Sequence, residues 1–193
     1  FREGTGKFPI YYPDTLPTTL NIGVGSPTGV KFGTTINFQP EYKKAFFAMD
    51  WSYGRILAVH LHPQGSTYAG TFENFVAPAS LHSDGPKSTL NLTDLEFGHD
   101  GAMYFMTGGR GTQSGLSRVS SVGPAAPAST SETDAAADEA GAKARAIRHQ
   151  LERFDGKEDP GAIDFAWPYL DSPDRWLRYA ARIAIESQPV EQW

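Results

Sequence analysis

The sequence predicts an antiparallel β region followed by an α-helical region, and three observations carry that prediction. A stretch of about 90 residues, from Ser26 to Val119, is written twice in outline. Ser26-Pro27-Thr28-Gly29-Val30-Lys31-Phe32-Gly33 is answered by Asn91-Leu92-Thr93-Asp94-Leu95-Glu96-Phe97-Gly98, with Thr93 standing 65 residues after Thr28. Each copy continues with an apolar run (Ala45 to Trp51, Ala102 to Thr107), a Gly-and-Arg turn and an alternating strand (Arg55 to Leu61, Gly115 to Val119). Residues 124–193 differ, being rich in Ala, Arg and Glu with apolar residues at helical spacing. Strand groups that recur and cannot bury both faces alone are the mark of a β-propeller or a similar array. The expected fold is therefore the terminal blades of a β-propeller, built from antiparallel four-stranded blades, and then helices.

The elements follow in order. Lys7 to Pro17 holds three prolines and two tyrosines, which suits an irregular surface segment. Val30 to Phe32 is a short alternating strand, and Thr34 to Tyr42 is a connection that turns near Pro40. Ala45 to Met49 is continuously apolar, as expected of a strand covered on both faces. Asp50 to Gly54 turns the chain, Arg55 to His62 alternates, Pro63 to Ser66 turns again, and Tyr68 to Val76 is a fourth strand. One complete blade thus occupies about 29–78. A short blade occupies about 90–122, with strands at Thr93–Phe97, Ala102–Thr107 and Gly115–Val119 and a hairpin turn at His99-Asp100-Gly101. No fourth strand follows, since Gly123 to Ala128 is Pro/Ala/Gly-rich. A strand supplied from upstream of residue 1 would complete a propeller's last blade; a small open sheet that ends there is the alternative.

By composition, 124–138 is a flexible linker and 139–193 is helical. Ala140, Ala144, Ile147, Leu151 and Phe154 share one helical face. A second helix is expected from about Asp159 to Leu170, with Ile163, Ala166, Trp167 and Leu170 inward and its last turn loosened by Pro168. Ser172-Pro173-Asp174 reads as a cap with Pro at the first helical position. The third helix should bury Trp176, Leu177, Ala180, Ile183 and Ala184.

Charge narrows the function classes. Nine basic and nine acidic residues balance in 1–123, so the net charge of −5 falls on 124–193. No basic cluster suits nucleic acid, and no run of 18 apolar residues suits a membrane span. The absence of cysteine excludes disulfides, thiolate metal sites and a C-x-x-C-H haem attachment within these residues. The start at Phe1-Arg2-Glu3 and the end directly after a helix read as an internal segment of a longer protein.

Two resemblances add to this. Leu170-Asp171-Ser172-Pro173-Asp174, with Arg178 and Ala180-Ala181, resembles the HEAT repeat, which implies that Asp171 and Arg178 bridge neighbouring repeats and that further repeats follow. Ser26-Pro27-Thr28-Gly29-Val30, Met49-Asp50-Trp51-Ser52-Tyr53-Gly54, Asp100-Gly101-Ala102-Met103-Tyr104-Phe105 and Gly108-Gly109-Arg110-Gly111-Thr112-Gln113-Ser114-Gly115-Leu116 resemble the large exported membrane-bound dehydrogenase group of planctomycete-type bacteria. Ser117 departs from the aromatic usual there. This second resemblance implies a propeller similar to quinoprotein glucose/sorbosone dehydrogenases, then HEAT repeats and often a c-type haem domain outside this chain. It also implies a periplasmic or cell-envelope location and a PQQ-type sugar or alcohol dehydrogenase that passes electrons to the haem.

In a propeller, the loop entering the inner strand and the loop joining the second and third strands meet at the channel mouth. That placement nominates Asp50, Trp51, Ser52, Tyr53 and Arg55 from one blade, and His82, Asp84, Asn91, Asp94, Arg110 and Gln113 from the other. Arg110, set among glycines, suits a ligand carboxylate such as those of the tricarboxylate quinone PQQ; pairing with Asp94 or Asp50 is the alternative. Arg55, Asn91 and Gln113 are further cofactor-binding candidates. Trp51 and Tyr53 suit either a ligand ring or packing between blades. Asp50 and Asp94, at near-equivalent positions on the rim of the channel mouth, are candidate Ca²⁺ ligands or turn caps, and His82 is the candidate general base or a surface-loop residue. His60 and His62 share one face of a strand without an evident third metal ligand. Asn91-Leu92-Thr93 matches a glycosylation sequon, a short pattern readily met by chance. The second functional reading is a non-catalytic scaffold that binds polysaccharide or a partner protein, since fold alone does not decide function.

Overall fold

The computed structural model describes residues 12, 15–79, 90–123 and 132–193. They form seven strands and then helices. The strands are β1 (Pro27–Phe32), β2 (Phe46–Asp50), β3 (Arg55–Gln64), β4 (Thr67–Val76), β5 (Leu92–Phe97), β6 (Met103–Gly109) and β7 (Thr112–Val119), and the helices are α1 (Glu132–Glu152), α2 (Ala162–Ala166) and α3 (Arg175–Glu186). The strands make a four-stranded sheet in the order β1-β2-β3-β4 and a three-stranded sheet in the order β5-β6-β7. The pairs resolved in register, β1–β2, β2–β3, β5–β6 and β6–β7, are antiparallel. Among the described residues these two sheets close no ring. The chain divides into two compact units, one of Leu20–His62 and Gly70–Thr130, the other of Phe1–Thr19, Pro63–Ala69 and Ser131–Trp193.

The twofold repeat is structural down to its irregularities. The β1–β2 register slips between Pro27 and Gly29, and the β5–β6 register slips between Leu92 and Asp94, so Thr28 and Thr93 are the two bulge residues. The N–H of Gly33 donates to the carbonyl of Ala45 and that of Gly98 to the carbonyl of Ala102, each at 3.0 Å. Ala45 and Ala102 are both buried.

The β core follows from alternation. Phe47 and Met49 on β2 pair with Ala58 and Ile56 on β3, which puts all four on one face. They join Leu92, Leu95, Phe97, Met103 and Phe105 of the second sheet in one buried cluster. Burying a side chain such as Phe47, which has no exposed surface, is worth about 1.5–3 kcal/mol. The Phe47 ring meets Phe97 edge-on at 5.5 Å and Phe75 at 5.0 Å, so β2, β4 and β5 converge on it. On the opposite face Ala48, Leu57 and Val59 are also buried. Strand β2 is therefore covered on both sides, as its continuous apolar run predicts.

Some boundaries differ from the sequence-based expectation, each for a physical reason. Strand β3 runs through Pro63 to Gln64. Its pairing with β2 ends at Val59, so the missing proline N–H costs no bond to that strand. Strands β6 and β7 extend toward each other until Gly109 pairs with Thr112, and the wide glycine loop contracts to a turn at Arg110-Gly111. Helix α1 begins at Glu132, so residues 132–138 are its first turns and not linker. Alanines and early acidic residues favour that extension.

Within the helical unit, Leu151, Ala166, Leu177, Ala180, Ala181, Ala184 and Ile185 form the core. Trp167, expected inward, is 60% exposed, because Pro168 diverts the chain into a 3-10 turn at Trp167–Tyr169. Trp176 and Ile183 are half-buried, while Ala181 and Ile185 take the inward positions. Asp174, and not Ser172, is the N-cap of α3; its carboxylate accepts the N–H of Trp176 at 2.9 Å and of Leu177 at 3.4 Å. Pro173 accordingly precedes the cap. The same carboxylate accepts the N–H of Ser66 at 3.2 Å. Burial raises the Asp174 pKa, but the hydrogen bonds from Ser66, Trp176 and Leu177 outweigh it, and the net shift is downward. Asp171 is exposed, and Arg178 donates to the Ser172 carbonyl. Gly141 lies where a Cβ would sit 2.4 Å from the Gly65 carbonyl oxygen, and Arg145 donates to that oxygen at 3.1 Å.

Candidate functional site

The site is built from the β2–β3 turn and the β6–β7 turn, both in the β unit. Asp50 ends β2 with 1% of its surface exposed, and three donors satisfy its carboxylate. One oxygen accepts the N–H of Ser26 at 2.9 Å and of Ser52 at 3.1 Å, and the other accepts Arg55 Nε at 3.1 Å. The sequence reads this way locally because a buried carboxylate is stable only when paired and fully hydrogen-bonded. Gly25 lets the chain pass close by, since a Cβ there would sit 2.9 Å from the carboxylate. Arg55 also donates to the Ile22 carbonyl at 3.4 Å and lies over the Tyr53 ring at 5.1 Å.

The other half of the site is the Gly108-to-Gly111 turn. Gly109, Arg110 and Gly111 all take positive φ, at 97°, 47° and 80°, and Arg110 is the one non-glycine residue with positive φ among the described residues. A left-handed conformation costs an ordinary L-residue about 1–2 kcal/mol. The turn presents the Arg110 guanidinium over the Trp51 ring, 5.0 Å from its centroid. Trp51 is in turn held by an N–H bond from its indole to the Gly108 carbonyl at 3.4 Å. No carboxylate pairs with Arg110 among the described residues; Asp50 is taken by Arg55, and the Asp94 carboxylate accepts the N–H of its neighbour Leu95 at 2.8 Å. The pairing of Arg110 with Asp50 or Asp94, one of the sequence alternatives, is thus replaced by the Trp51 stack.

The nominated residues divide. Trp51, Arg110, Asp50, Arg55 and Tyr53 come together through the contacts above. Asn91 joins them through its backbone, whose carbonyl accepts the N–H of Gly108 at 2.8 Å. Gln113 is exposed on β7. Asp94 is not the counterpart of Asp50: in register Asp50 stands opposite Pro27, and Thr107 stands opposite Leu92, so Thr107 takes the equivalent place in the second sheet. Asp94 is exposed two residues further along β5. His82 and Asp84 lie outside the described residues.

Two carboxylates at different register positions, one saturated by nitrogen donors, do not fit calcium, which needs about six to eight oxygens. Among the described residues no group of three or more His, Cys, Asp or Glu is placed to hold a metal ion. His60 and His62 are each engaged across β4, His60 with Glu73 at 3.2 Å and His62 with the Thr71 hydroxyl at 3.2 Å. Tyr42 lies against His60 and Phe75 and bonds Glu73; burial first, then that bond, pushes its pKa up to about 12. The pattern of single residues did not reveal this cluster, because Tyr42 sits in a connection that only the fold brings to β3 and β4. A signal does exist for Trp51 and Arg110: each lies in the turn that joins the second and third strands of its own repeat copy.

The atoms on this rim can recognise an anion with a flat face. Arg110 supplies charge and a donor fork, and Trp51 supplies a π surface. Set against known proteins, the chain matches no family model, no curated protein and no solved structure.

Proposed function

We propose that the β unit belongs to a quinoprotein-like sugar or alcohol dehydrogenase and that the Trp51/Arg110 rim holds the carboxylates of its quinone. The observation that carries this is the Arg110 guanidinium, held in a strained turn and paired with no carboxylate among the described residues. The resemblance of the repeat motifs to the exported dehydrogenase group supports it. A quinone of the PQQ type, when bound, accepts the hydride of an alcohol. The chain's own part is to bind and orient. Arg110 pairs with a carboxylate, Trp51 offers a ring face, and the Asp50–Arg55 pair fixes the turn that carries Trp51. Calcium has no role in this proposal, because the donor set does not fit it.

A polysaccharide-binding scaffold is the second reading, favoured by Tyr53, which is 44% exposed beside Arg55 and suits a sugar ring. Binding of PQQ to the chain separates the two, followed by dye reduction with a panel of sugars and alcohols by the protein that contains it. Saturable PQQ binding and substrate-dependent reduction are expected. No PQQ binding and no reduction would leave the scaffold reading.

A further inference from the structure

We infer that the β unit associates head to tail with a second copy of this chain, the open face of its second sheet (β5–β7) seating on the open face of the other copy's first sheet (β1–β4). The inference does not depend on what the Trp51/Arg110 rim binds. Its ground is the contact between the two sheets of one chain. The front of the first sheet carries Phe47 and Met49, which stand opposite Lys31 and Gly29 of β1. It packs against the back of the second sheet, which carries Leu95, Phe97, Met103 and Phe105. The repeat identifies the counterpart of each surface. Tyr104 and Met106 stand opposite Glu96 and Asp94, each 65 residues after Lys31 and Gly29, so they are the second sheet's front. Val30 and Phe32 correspond in the same way to Leu95 and Phe97, so they lie on the first sheet's back. The sheets are therefore stacked front to back, the arrangement by which repeated units add neighbours.

One front and one back are left open. Met106 and its cross-strand partner Leu116 are 46% and 69% exposed, and Val30 and Phe32 are 55% and 49% exposed. Each open surface is the counterpart of one already in contact, so the pair is complementary by repetition. The other copy's Phe32 would meet Tyr104 as Phe97 meets Phe47, edge-on at 5.5 Å. Beside Met106 and Leu116 runs the Asp100–Tyr104–Arg118 network, which gives this front the mixed apolar and polar character of a non-obligate interface. Charge agrees with the stacking. Lys31 pairs with Glu96 between the sheets, and both side chains keep exposed surface. The two are also counterparts in the repeat, so the next contact sets Glu96 of one copy beside Lys31 of the other. The same pair recurs with its charges exchanged, where like charges would repel. Such an interface is heterologous: it closes into a ring or continues.

A propeller ring holds about four to eight blades. Each chain carries two sheets, so a closed ring takes about two to four copies.

The test is sedimentation velocity on the 193-residue chain and on two variants that each block one face. Leu116→Asp puts a charge on the open front and Val30→Asp on the open back, both at exposed positions where substitution leaves the fold intact. Circular dichroism checks the fold, and Met106→Asp or Phe32→Asp replaces a variant that does not fold. The wild type should gain mass as its concentration rises through the micromolar range. Each variant alone should remain a single chain. An equimolar mixture of the two should form a one-to-one complex, through the front that one keeps and the back that the other keeps. A wild type that stays a single chain throughout would overturn the inference; that is the outcome if these faces receive other blades of a longer protein. Self-association of one variant alone would show a contact that is not front to back, and folded variants that form no complex when mixed would place the association elsewhere. Either result overturns it as well.

Discussion

The guanidinium of Arg110 lies 5.0 Å from the centre of the Trp51 ring, joining the turns of two different sheets. The contact is set against a backbone cost at Arg110, whose φ is 47°. Two substitutions separate these effects. Arg110→Ala removes the cation–π contact, worth about 0.5–1 kcal/mol at an exposed site, and keeps the strain. Arg110→Gly removes both. Denaturant unfolding should show the glycine variant more stable than the alanine variant by about 1 kcal/mol. Equal stabilities would mean that the turn is unstrained.

Asp50 is the buried anchor beneath that contact. Asp50→Ala leaves the Arg55 guanidinium and two N–H groups without their acceptor. The expected loss is about 3–5 kcal/mol, typical of breaking a buried pair from one side. The same urea titration reads it. A loss below about 1 kcal/mol, the scale of a surface pair, would show that water reaches the site freely.

Much of the β unit was legible because its repeat is physical as well as textual. Phe32-Gly33 and Phe97-Gly98 end the inner strands of their sheets, and both glycines are there for space. A Cβ on Gly33 would sit 2.4 Å from the Tyr42 carbonyl oxygen, and one on Gly98 would sit 2.7 Å from the Tyr104 ring. Gly33→Ala must move backbone, so it should cost about 1–3 kcal/mol by thermal unfolding. An alanine variant as stable as the parent would contradict the close approach. The pairing of Asp50 with Arg55 was less legible, because alternation predicts which face a residue takes and not which partner it finds. Equating Asp50 with Asp94 failed for a similar reason. The copies share an offset of 65 in the inner strand, but β2 and β6 are offset by a shorter interval, since the first copy carries the longer connection through Pro40–Lys44. The helical boundary at Glu132 was hidden by an Ala/Ser/Thr/Asp composition that reads equally as linker.

The Tyr42 cluster gives an alkaline signature. The folded pKa of Tyr42 is pushed up to about 12 by burial and by its bond to Glu73, above the ordinary value of 10.0. A raised pKa means that this contribution to stability is complete below pH 10 and is lost as pH rises from there through about 12. Unfolding midpoints measured across that window should fall with pH in the wild type and fall less in Tyr42→Phe. Parallel slopes would remove Tyr42 as the cause.

Equilibrium dialysis of PQQ against the wild-type chain and Arg110→Gly tests most directly whether the rim holds a quinone's carboxylates. At low salt the wild type should bind about tenfold or more tightly than the variant, the scale of a charge-assisted hydrogen-bonded pair. Equal binding by the two, or none by the wild type, would contradict the assignment.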